Sequence, residues 1–299
     1  MTDILISTPE YDVTRIPNIF KFIKVKETPN EKKLISLVTE FTPRGIIAGL
    51  EPITRRVMLA SKNLSVISRI GTGIDNVDLL AAKELNIEVK RTPDAPTDSV
   101  AEFTVAMLLC LIKNLRVMDF SIKNGTWQKA ISHDLAGMTV GIIGCGRIGS
   151  KIAGLLKNFD CNFLGYDPEV KNHELIKMVS FKKLLEESDI ITLHLPYMSE
   201  TRHIIGREAF NRMKKTVILL NLARGGLIDE EALCEALDAN RIMACGLDCF
   251  EHEPYSGKLQ KYDNVILTPH TASSSVEGRN RMETEALKNL IDVMESRNK

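Results

Sequence analysis

Short runs of apolar residues alternate along the chain with longer segments in which apolar positions recur every three or four residues. The short runs are typical of buried strands, and the longer segments are typical of amphipathic helices. In the first hundred residues these patterns predict strands at 4–7, 45–49, 65–70 and 87–90, and helices at 30–41, 52–61 and 76–86. The alternation indicates an α/β layer built on a small parallel sheet.

The same alternation begins again after a proline-punctuated crossing at 93–98 and a long apolar helix from Ser99 through Leu115. One further helix, 277–295, remains at the end and is expected to return to the first layer. The sequence therefore predicts two domains, one inserted in the other, with residues 1–97 and 275–299 in one, residues 98–274 in the other, and the active cleft between the two lobes. The inserted domain is predicted to contain six strands, near 140, 163, 190, 217, 243 and 265, and helices near 150, 182, 208 and 230.

The strand near residue 140 leads directly into Gly144, Gly146 and Gly149. Glycines at this spacing let the backbone N–H groups of a helix N-terminus approach a pyrophosphate. The next strand ends in Asp167, at the distance where an acid binds the ribose 2′-hydroxyl of NAD and repels the 2′-phosphate of NADP. An ordinary glycine turn with Asp167 as a turn cap is the alternative. NAD is therefore the predicted cofactor, although Lys171 lies close enough in sequence to leave NADP open.

A second glycine-bearing turn, 69–76, follows a predicted strand of the first domain. Open α/β sheets bind ligands at the carboxyl ends of their strands, so Gly71 and Gly73 form a candidate cradle for an anion. The alternative is a plain loop in which Asp75 or Asn76 caps the following helix.

The charge and cysteine content indicate which partners, compartment and metal sites the sequence disfavours. The 39 basic and 39 acidic residues cancel, with no basic block, so neither nucleic acid nor an anionic membrane is a predicted partner. No signal peptide is expected, and the apolar run 105–112 is too short to span a bilayer. The six cysteines lack C-x-x-C spacing, which suits a reduced, cytoplasmic protein. Cys245 and Cys249 are expected to pack in the core, and no metal site is predicted.

Polar residues that follow strands of the inserted domain are candidates for chemistry. Arg224 follows an apolar run and precedes two glycines, where a guanidinium could bind a carboxylate and a carbonyl oxygen. A surface pair with Asp229 is the alternative. His270 follows the last predicted strand and could exchange a proton with a substrate oxygen.

A carboxylate near His270 would hold and charge its imidazole. Glu253, which precedes Pro254, is one candidate. Glu251 and His252 are rivals that the spacing alone does not exclude.

Taken together, these segments resemble the D-isomer-specific 2-hydroxyacid dehydrogenases, and within that family the D-3-phosphoglycerate dehydrogenases. The resemblance implies a Rossmann NAD-binding domain inserted into a flavodoxin-like substrate domain, both of them doubly wound α/β folds with parallel sheets. It also implies that Arg224, Glu253 and His270 are the catalytic residues, because they match the family's N-x-A-R-G, E-P and P-H motifs. The resemblance extends over 69–79, 98–102, 141–149, 221–230, 247–254 and 268–272.

The activity that the resemblance implies is NAD-dependent hydride transfer between a D-2-hydroxy acid and a 2-oxo acid. The expected pair is 3-phosphoglycerate and phosphohydroxypyruvate, as in serine biosynthesis, in a short form without the regulatory domain of many relatives. Glyoxylate or hydroxypyruvate reductase and D-lactate dehydrogenase are alternatives within the family. An NADH-sensing protein similar to the corepressors of this fold is the alternative from another class. Formate dehydrogenase is disfavoured, because its histidine partner is Gln where this chain has Glu253.

The resemblance also implies binding roles for further residues. Arg69 would contact a substrate phosphate, with a solvated strand-end arginine as the alternative. The expected substrate-binding residues are Arg69, Gly71, Thr72, Gly73, Arg224 and His270. The expected cofactor-binding residues are Thr72, Gly144, Gly146, Arg147, Ile148, Gly149, Asp167, Leu195, Pro196, Ala223, Asp248 and Ala272.

Members of the family pair through their NAD-binding domains, so a homodimer is expected, formed by the long helix after Ser99 and the connection that contains Trp127. Trp127 itself is expected to pack structurally rather than to bind a ligand. The chain departs from the family at Thr97, where Asn is common, and at Cys145 within the glycine turn. The Cys145 side chain is expected to point into the domain.

Overall fold

The computed structural model describes residues 2–297 and divides into two compact α/β units. The first unit comprises residues 2–96 and 275–297, and the second comprises residues 97–274. Each unit has a parallel sheet with buried apolar clusters on both faces. The predicted α/β class with two doubly wound parallel sheets is confirmed.

The elements of the first unit are β1 (Ile4–Ile6), β2 (Phe22–Lys24), α1 (Glu31–Phe41), β3 (Gly45–Ala48), α2 (Arg55–Leu59), β4 (Val66–Arg69), α3 (Leu79–Glu84), β5 (Glu88–Arg91) and α10 (Val276–Ser296). The strands form a five-stranded parallel sheet in the order β2-β1-β3-β4-β5. This order reverses between β1 and β3, and open sheets bind ligands outside the carboxyl ends of the strands at such a reversal. β2 was not predicted, because its pattern alternates and it is only partly buried.

Helix α10 covers one face of this sheet, and α1, α2 and α3 cover the other. Successive strand residues point to opposite faces, so Ile47 joins the cluster beneath α10 while Ile46 joins the cluster beneath the other helices. The hydroxyl of Ser275 accepts the N–H of Gly278 and caps the start of α10. The last helix therefore belongs to the core of the first unit.

The elements of the second unit are α4 (Thr97–Ile112), α5 (Leu115–Lys123), β6 (Thr139–Ile143), α6 (Arg147–Leu156), β7 (Asn162–Tyr166), β8 (Lys177–Met178), α7 (Phe181–Glu187), β9 (Ile190–Leu193), α8 (Arg207–Arg212), β10 (Ile218–Asn221), α9 (Glu230–Asp238), β11 (Ala244–Leu247) and β12 (Val265–Leu267). The strands form a seven-stranded parallel sheet in the order β12-β11-β10-β9-β6-β7-β8. The order reverses between β6 and β9, directly beside the glycine turn that follows β6. The sheet has one strand more than the six predicted, since β8 pairs over only two residues and was missed.

One expectation for the segment after residue 97 is wrong. The predicted single helix through Leu115 ends at Ile112, because Asn114 adopts a left-handed backbone conformation with φ +52°, and a separate helix, α5, begins at Leu115. An unbroken apolar run gives no signal for such a break. Trp127 is 82 % exposed in the single chain, so its structural packing stays a prediction.

Cys245 and Cys249 are buried in the second unit as free thiols, as expected. Within residues 2–297, no group of His, Cys, Asp and Glu side chains is arranged to hold a metal ion. No helix in that same part of the chain has the length and apolar character needed to cross a membrane.

Candidate active site

The glycine turn connects β6 to α6 through a close backbone contact. Gly144 has φ +99°, and a Cβ atom there would lie 2.5 Å from the carbonyl carbon of His194. A Cβ atom on Gly149 would lie 2.2 Å from the carbonyl oxygen of Gly144. Only glycine fits at these two positions, so the turn can bring α6 tightly against the end of β6.

The N-terminus of α6 has the features of a phosphate-binding helix end. Gly146 is the N-cap residue, and no side chain makes a capping hydrogen bond within the described residues. A Cβ atom on Gly146 would meet nothing within 4 Å, so open space lies above this helix end. Exposed Arg147 and half-buried Ile148 begin the helix. A dinucleotide pyrophosphate therefore fits here, held by backbone N–H groups and the helix dipole.

Asp167 lies at the carboxyl end of β7, next to the glycine turn. The N–H of Cys145 donates to its Oδ2 (2.8 Å), and the N–H groups of Glu169 and Val170 donate to its Oδ1 (2.8 and 3.0 Å). These bonds fix the carboxylate beside the turn, which suits the predicted contact with a ribose hydroxyl. Lys171 donates to the carbonyl of Pro168.

Cys145 and His194 lie behind the turn rather than on its open side. The Cys145 side chain points into the domain, as expected, and burial raises the pKa of its thiol to about 12. Burial lowers the pKa of His194 to about 3, so this imidazole is neutral, and its Nε2 lies 2.8 Å from the hydroxyl of Thr192. Both side chains are structural.

Arg224 follows β10, and a buried asparagine shapes the backbone there. Asn221, which is 1 % exposed, donates from Nδ2 to the carbonyl of Arg224 and accepts the N–H of Ala223. The guanidinium of Arg224 donates to the carbonyl of Ala223 (2.7 Å). Asp229, the surface partner considered from sequence, instead caps α9 by accepting the N–H groups of Glu231 and Ala232. Asn221 is the first residue of the N-x-A-R-G motif, but its role in shaping this backbone was not predicted, although a polar residue ending a buried strand is a usable signal.

Glu253 and His270 lie in contact within the second unit. His270 Nδ1 is 2.8 Å from Oε2 and 3.0 Å from Oε1 of Glu253. Burial alone would raise the pKa of Glu253, but the hydrogen bond and charge of His270, the N–H of Phe250 and the charge of Arg224 together lower it. The carboxylate fixes a proton on Nδ1 of His270, which leaves Nε2 for a substrate. Two of the predicted catalytic residues, His270 and Arg224, therefore act electrostatically on the third, Glu253.

The rival residue Glu251 has a different partner. Its Oε1 lies 2.5 Å from Nε2 of His203, which precedes α8, and its N–H donates to Glu230. The N–H of His203 donates to the carbonyl of Gly226, two residues after Arg224. The Glu251–His203 pair therefore ties the segment after β11 to the segment that follows Arg224, and Glu253 is the carboxylate that contacts His270.

Asp248 holds the loop that carries His270. This fully buried carboxylate accepts the hydroxyl of Thr268 (2.6 Å) and the N–H of Thr271 (2.9 Å) at Oδ1, and the N–H of Ala272 (2.8 Å) at Oδ2. His270 has φ +49°, a left-handed conformation that such anchoring supports. Asp248 was predicted only as a cofactor contact, and its support of this loop was not foreseen.

The other predicted cofactor residues of the second unit lie at the same sheet edge, where β9, β10 and β12 end. Leu195 and Ala272 are buried, Ala223 is half-buried and Pro196 is exposed. The backbone N of Leu195 is one of the atoms that a Cβ on Gly144 would meet.

In the first unit, the turn after β4 departs from the expected donor set. The N–H of Gly71 donates to the hydroxyl of buried Thr92 (2.7 Å), so this amide is not available to a ligand. Thr72 and Gly73 are half-buried, and within residues 2–297 neither amide donates a hydrogen bond. Asn76 does not cap the next helix, because α3 begins later and Asp78 caps it. The amides of Thr72 and Gly73 are the donors that this turn can offer to an anion.

Comparisons with known proteins assign the chain to a family. Residues 105–272 match the model of the D-isomer specific 2-hydroxyacid dehydrogenase, NAD binding domain. The chain is 36 % identical over 296 residues to a glyoxylate reductase of Korarchaeum cryptofilum, covering 95 % of this chain and 89 % of the relative. It is 38 % identical over 288 residues to a D-3-phosphoglycerate dehydrogenase of Methanocaldococcus jannaschii, covering 93 % of this chain and 55 % of the relative. The chain thus spans about half the length of that dehydrogenase.

A solved structure agrees with these relatives. The D-lactate dehydrogenase of Aquifex aeolicus, complexed with NAD and lactic acid, superimposes with a TM-score of 0.89 at 29 % identity, covering 99 % of this chain and 96 % of that one. The named activities differ among these proteins, but all three belong to one class of oxidoreductase. The chain therefore belongs to the D-isomer specific 2-hydroxyacid dehydrogenase family, and its second unit is the NAD-binding domain.

Proposed function

We propose that this chain catalyses hydride transfer between nicotinamide and a D-2-hydroxy acid or the matching 2-oxo acid. The observation that carries the proposal is the contact between His270 Nδ1 and Glu253, with the charge of Arg224 acting on the same carboxylate. An imidazole held by a carboxylate beside a guanidinium provides an acid–base group next to a binding site for a carboxylate or a carbonyl oxygen.

NAD would be held by the N-terminus of α6 and by Asp167. The space over Gly146 and the lack of a side-chain cap on α6 suit the diphosphate, and the Asp167 carboxylate disfavours a 2′-phosphate. When bound, the nicotinamide supplies or accepts the hydride.

The residues of the chain perform the polar part of the reaction. In reduction, Arg224 binds the 2-oxo acid and polarises its carbonyl. In the first unit, the amides of Thr72 and Gly73 are the proposed donors to a substrate carboxylate. His270, protonated and held by Glu253, gives the proton on Nε2 to the carbonyl oxygen, which becomes the hydroxyl. In oxidation, His270 takes the hydroxyl proton back.

For phosphohydroxypyruvate, the substrate expected from the resemblance, Arg69 was the expected phosphate contact, with a solvated strand-end arginine as the alternative. Arg69 is 6 % exposed, and its guanidinium donates to the carbonyl of Ile70 (2.7 Å) and lies against Gly71. A buried guanidinium already bonded to backbone is a poor receptor for a phosphate dianion. This position favours an unphosphorylated acid such as glyoxylate or hydroxypyruvate, the alternatives within the family.

A substrate panel tests the proposal. Oxidation of NADH and of NADPH is followed with phosphohydroxypyruvate, hydroxypyruvate, glyoxylate and pyruvate as separate acceptors. We expect turnover of at least one 2-oxo acid, with NADH preferred. A protein that binds NADH but reduces none of these acids would behave as an NADH sensor, and the enzyme proposal would be abandoned.

We further propose that two chains pair through the second unit. The segment 115–131 exposes several large apolar side chains, among them Phe120 (64 % exposed), Trp127 (82 %) and Ile131 (91 %), and exposed apolar surface of this kind marks an interface. Light scattering at micromolar protein should give a dimer. Trp127→Ser should weaken it, whereas Leu80→Ser, at an exposed apolar position of the first unit, should not. A monomeric wild-type protein would contradict this proposal.

A further inference from the structure

A buried acid lies at the carboxyl edge of the five-stranded sheet, where the strand order reverses between β1 and β3. Glu51, which follows β3, is 2 % exposed. Ser7, which follows β1, donates its hydroxyl to Oε1 of Glu51. The N–H of Gly49 donates to both carboxylate oxygens (3.0 and 3.1 Å). The position that ligands occupy in sheets of this order thus carries a carboxylate of the chain itself.

This carboxylate is joined to the turn that we propose receives the substrate. β3 and β4 pair in parallel with Ala48 opposite Arg69, so the loop that carries Glu51 begins beside the end of β4, where Arg69 lies. Asn76, at the end of the turn, donates from Nδ2 to the carbonyls of Gly49 (3.1 Å) and Glu51 (2.7 Å). The loop with Glu51 and the turn after β4 therefore form one hydrogen-bonded body.

The charges of Glu51 and Arg69 act on each other. Burial raises the pKa of Glu51, and the hydrogen bonds from Ser7 and Gly49 and the positive charge of Arg69 oppose that rise. Arg69 is itself buried, with its guanidinium against Gly71. An arginine with a buried carboxylate as its electrostatic counterpart contributes little net positive charge to a ligand.

We infer that Glu51 is a positioning and specificity-determining residue, which keeps Arg69 against the Gly71–Gly73 turn and selects an unphosphorylated 2-oxo acid. The inference rests on the proposed function and names its substrate class. With Glu51 ionised, the edge of the sheet binds one anionic group, the substrate carboxylate, at the amides of Thr72 and Gly73. A second anionic group, such as a phosphate, finds no net positive charge here, because Glu51 offsets the charge of Arg69. A phosphate placed without a compensating positive charge disfavours the phosphorylated acid.

The test compares hydroxypyruvate with phosphohydroxypyruvate as substrates for the full-length protein with NADH. In the wild type, we expect kcat/KM for hydroxypyruvate to exceed that for phosphohydroxypyruvate by about tenfold or more. Glu51→Gln keeps the shape and one oxygen that can accept from Ser7 and Gly49, and it places an NH₂ group where the second carboxylate oxygen stood. It removes the charge, which leaves Arg69 with a net positive charge. This variant should reduce the preference by about tenfold, mainly through a lower KM for the phosphorylated acid.

Two control variants distinguish the effect of the Glu51 charge from the effect of a lost hydrogen bond or of an acid removed elsewhere in the unit. Ser7→Ala removes a hydrogen bond to the same carboxylate without removing its charge, and Glu10→Gln neutralises an exposed acid of the same unit. Both should keep the wild-type ratio of the two kcat/KM values. The affinity for NADH, measured by fluorescence, should be unchanged in all three variants.

An unchanged substrate ratio in Glu51→Gln, or a wild type that prefers phosphohydroxypyruvate, would overturn the inference while leaving the proposed function intact. If the wild type reduced no 2-oxo acid, the proposed function would fail and the inference with it. If Glu51→Gln did not fold, the inference would be tested on the wild type alone. The two measurements would be the ratio of its kcat/KM values for hydroxypyruvate and phosphohydroxypyruvate, and its inhibition by inorganic phosphate. We expect phosphate not to compete with hydroxypyruvate, and competition at low millimolar concentration would contradict the inference.

Discussion

Replacement of Asp248 by Asn tests whether this carboxylate holds the loop that carries His270. The carboxylate is fully buried and accepts two hydrogen bonds at Oδ1 and one at Oδ2. Asn can keep its oxygen at the Oδ1 position, where Thr268 and Thr271 donate. Its NH₂ group must then face the N–H of Ala272, so one charge-assisted bond is lost and two donors oppose each other.

The magnitude follows from this count. A hydrogen bond to a charged group contributes about 1.5–3 kcal/mol, and the remaining two bonds also weaken when the acceptor becomes neutral. We expect Asp248→Asn to lower the free energy of unfolding by about 3 kcal/mol. For a unit of this size, the melting temperature should fall by roughly 6–12 °C. Displacement of His270 should lower kcat by about tenfold to a hundredfold.

The assay combines thermal unfolding with steady-state kinetics on the preferred 2-oxo acid. Asp134→Asn is the matched control, because this acid has a side chain that is 90 % exposed and pairs only at the surface with Lys113. Asp134→Asn should change neither the melting temperature nor kcat. A stable Asp248→Asn variant with wild-type kcat would refute the reasoning. A variant that lost NADH affinity alone would instead make Asp248 a cofactor contact rather than a support for the loop.

Two further predictions concern the glycine turn and the acid partner. Gly144→Ala places a Cβ atom against His194 at a positive φ, so we expect it to lower the free energy of unfolding by about 1–3 kcal/mol. Gly146→Ala should unfold as the wild type does, because its Cβ atom meets nothing within 4 Å. This second variant should bind NADH more weakly in a fluorescence titration. NADH binding by Gly146→Ala with wild-type affinity would contradict this assignment. Glu253→Gln should lower kcat by about tenfold to a hundredfold. The pKa of Glu253 is lowered in the folded state, so its ionised form stabilises the protein above the ordinary glutamate value of 4.5. The stability difference between the wild type and Glu253→Gln should therefore shrink as pH falls below that value, and a difference independent of pH would contradict the pairing with His270.

Much of the fold could be predicted from sequence, because parallel strands buried on both faces leave continuous apolar runs. β8 was missed because it pairs over two residues, and β2 because it is only partly buried. The break at Asn114 was missed because its neighbours in α4 and α5 are both helical. Local periodicity does not encode a single left-handed residue.

The candidate site could likewise be predicted from sequence only in part. Motif spacing indicated Arg224, Glu253 and His270, but it left Glu251 as a rival, and only the three-dimensional contacts distinguish the two carboxylates. The amide of Gly71 donates to Thr92, twenty-one positions away in sequence, because β4 and β5 pair in the sheet. Arg69 likewise looked available in sequence, but it is 6 % exposed and its guanidinium donates to the carbonyl of Ile70.

The central claim, that His270 exchanges the proton during reduction of a 2-oxo acid, is tested most directly by comparing NADH oxidation in the wild type and in His270→Ala. The wild type should reduce at least one of hydroxypyruvate, glyoxylate, pyruvate and phosphohydroxypyruvate. His270→Ala should lower kcat by about 10²–10⁴-fold with little change in NADH affinity. Tight NADH binding by both proteins, with a rate that does not depend on His270, would contradict the account.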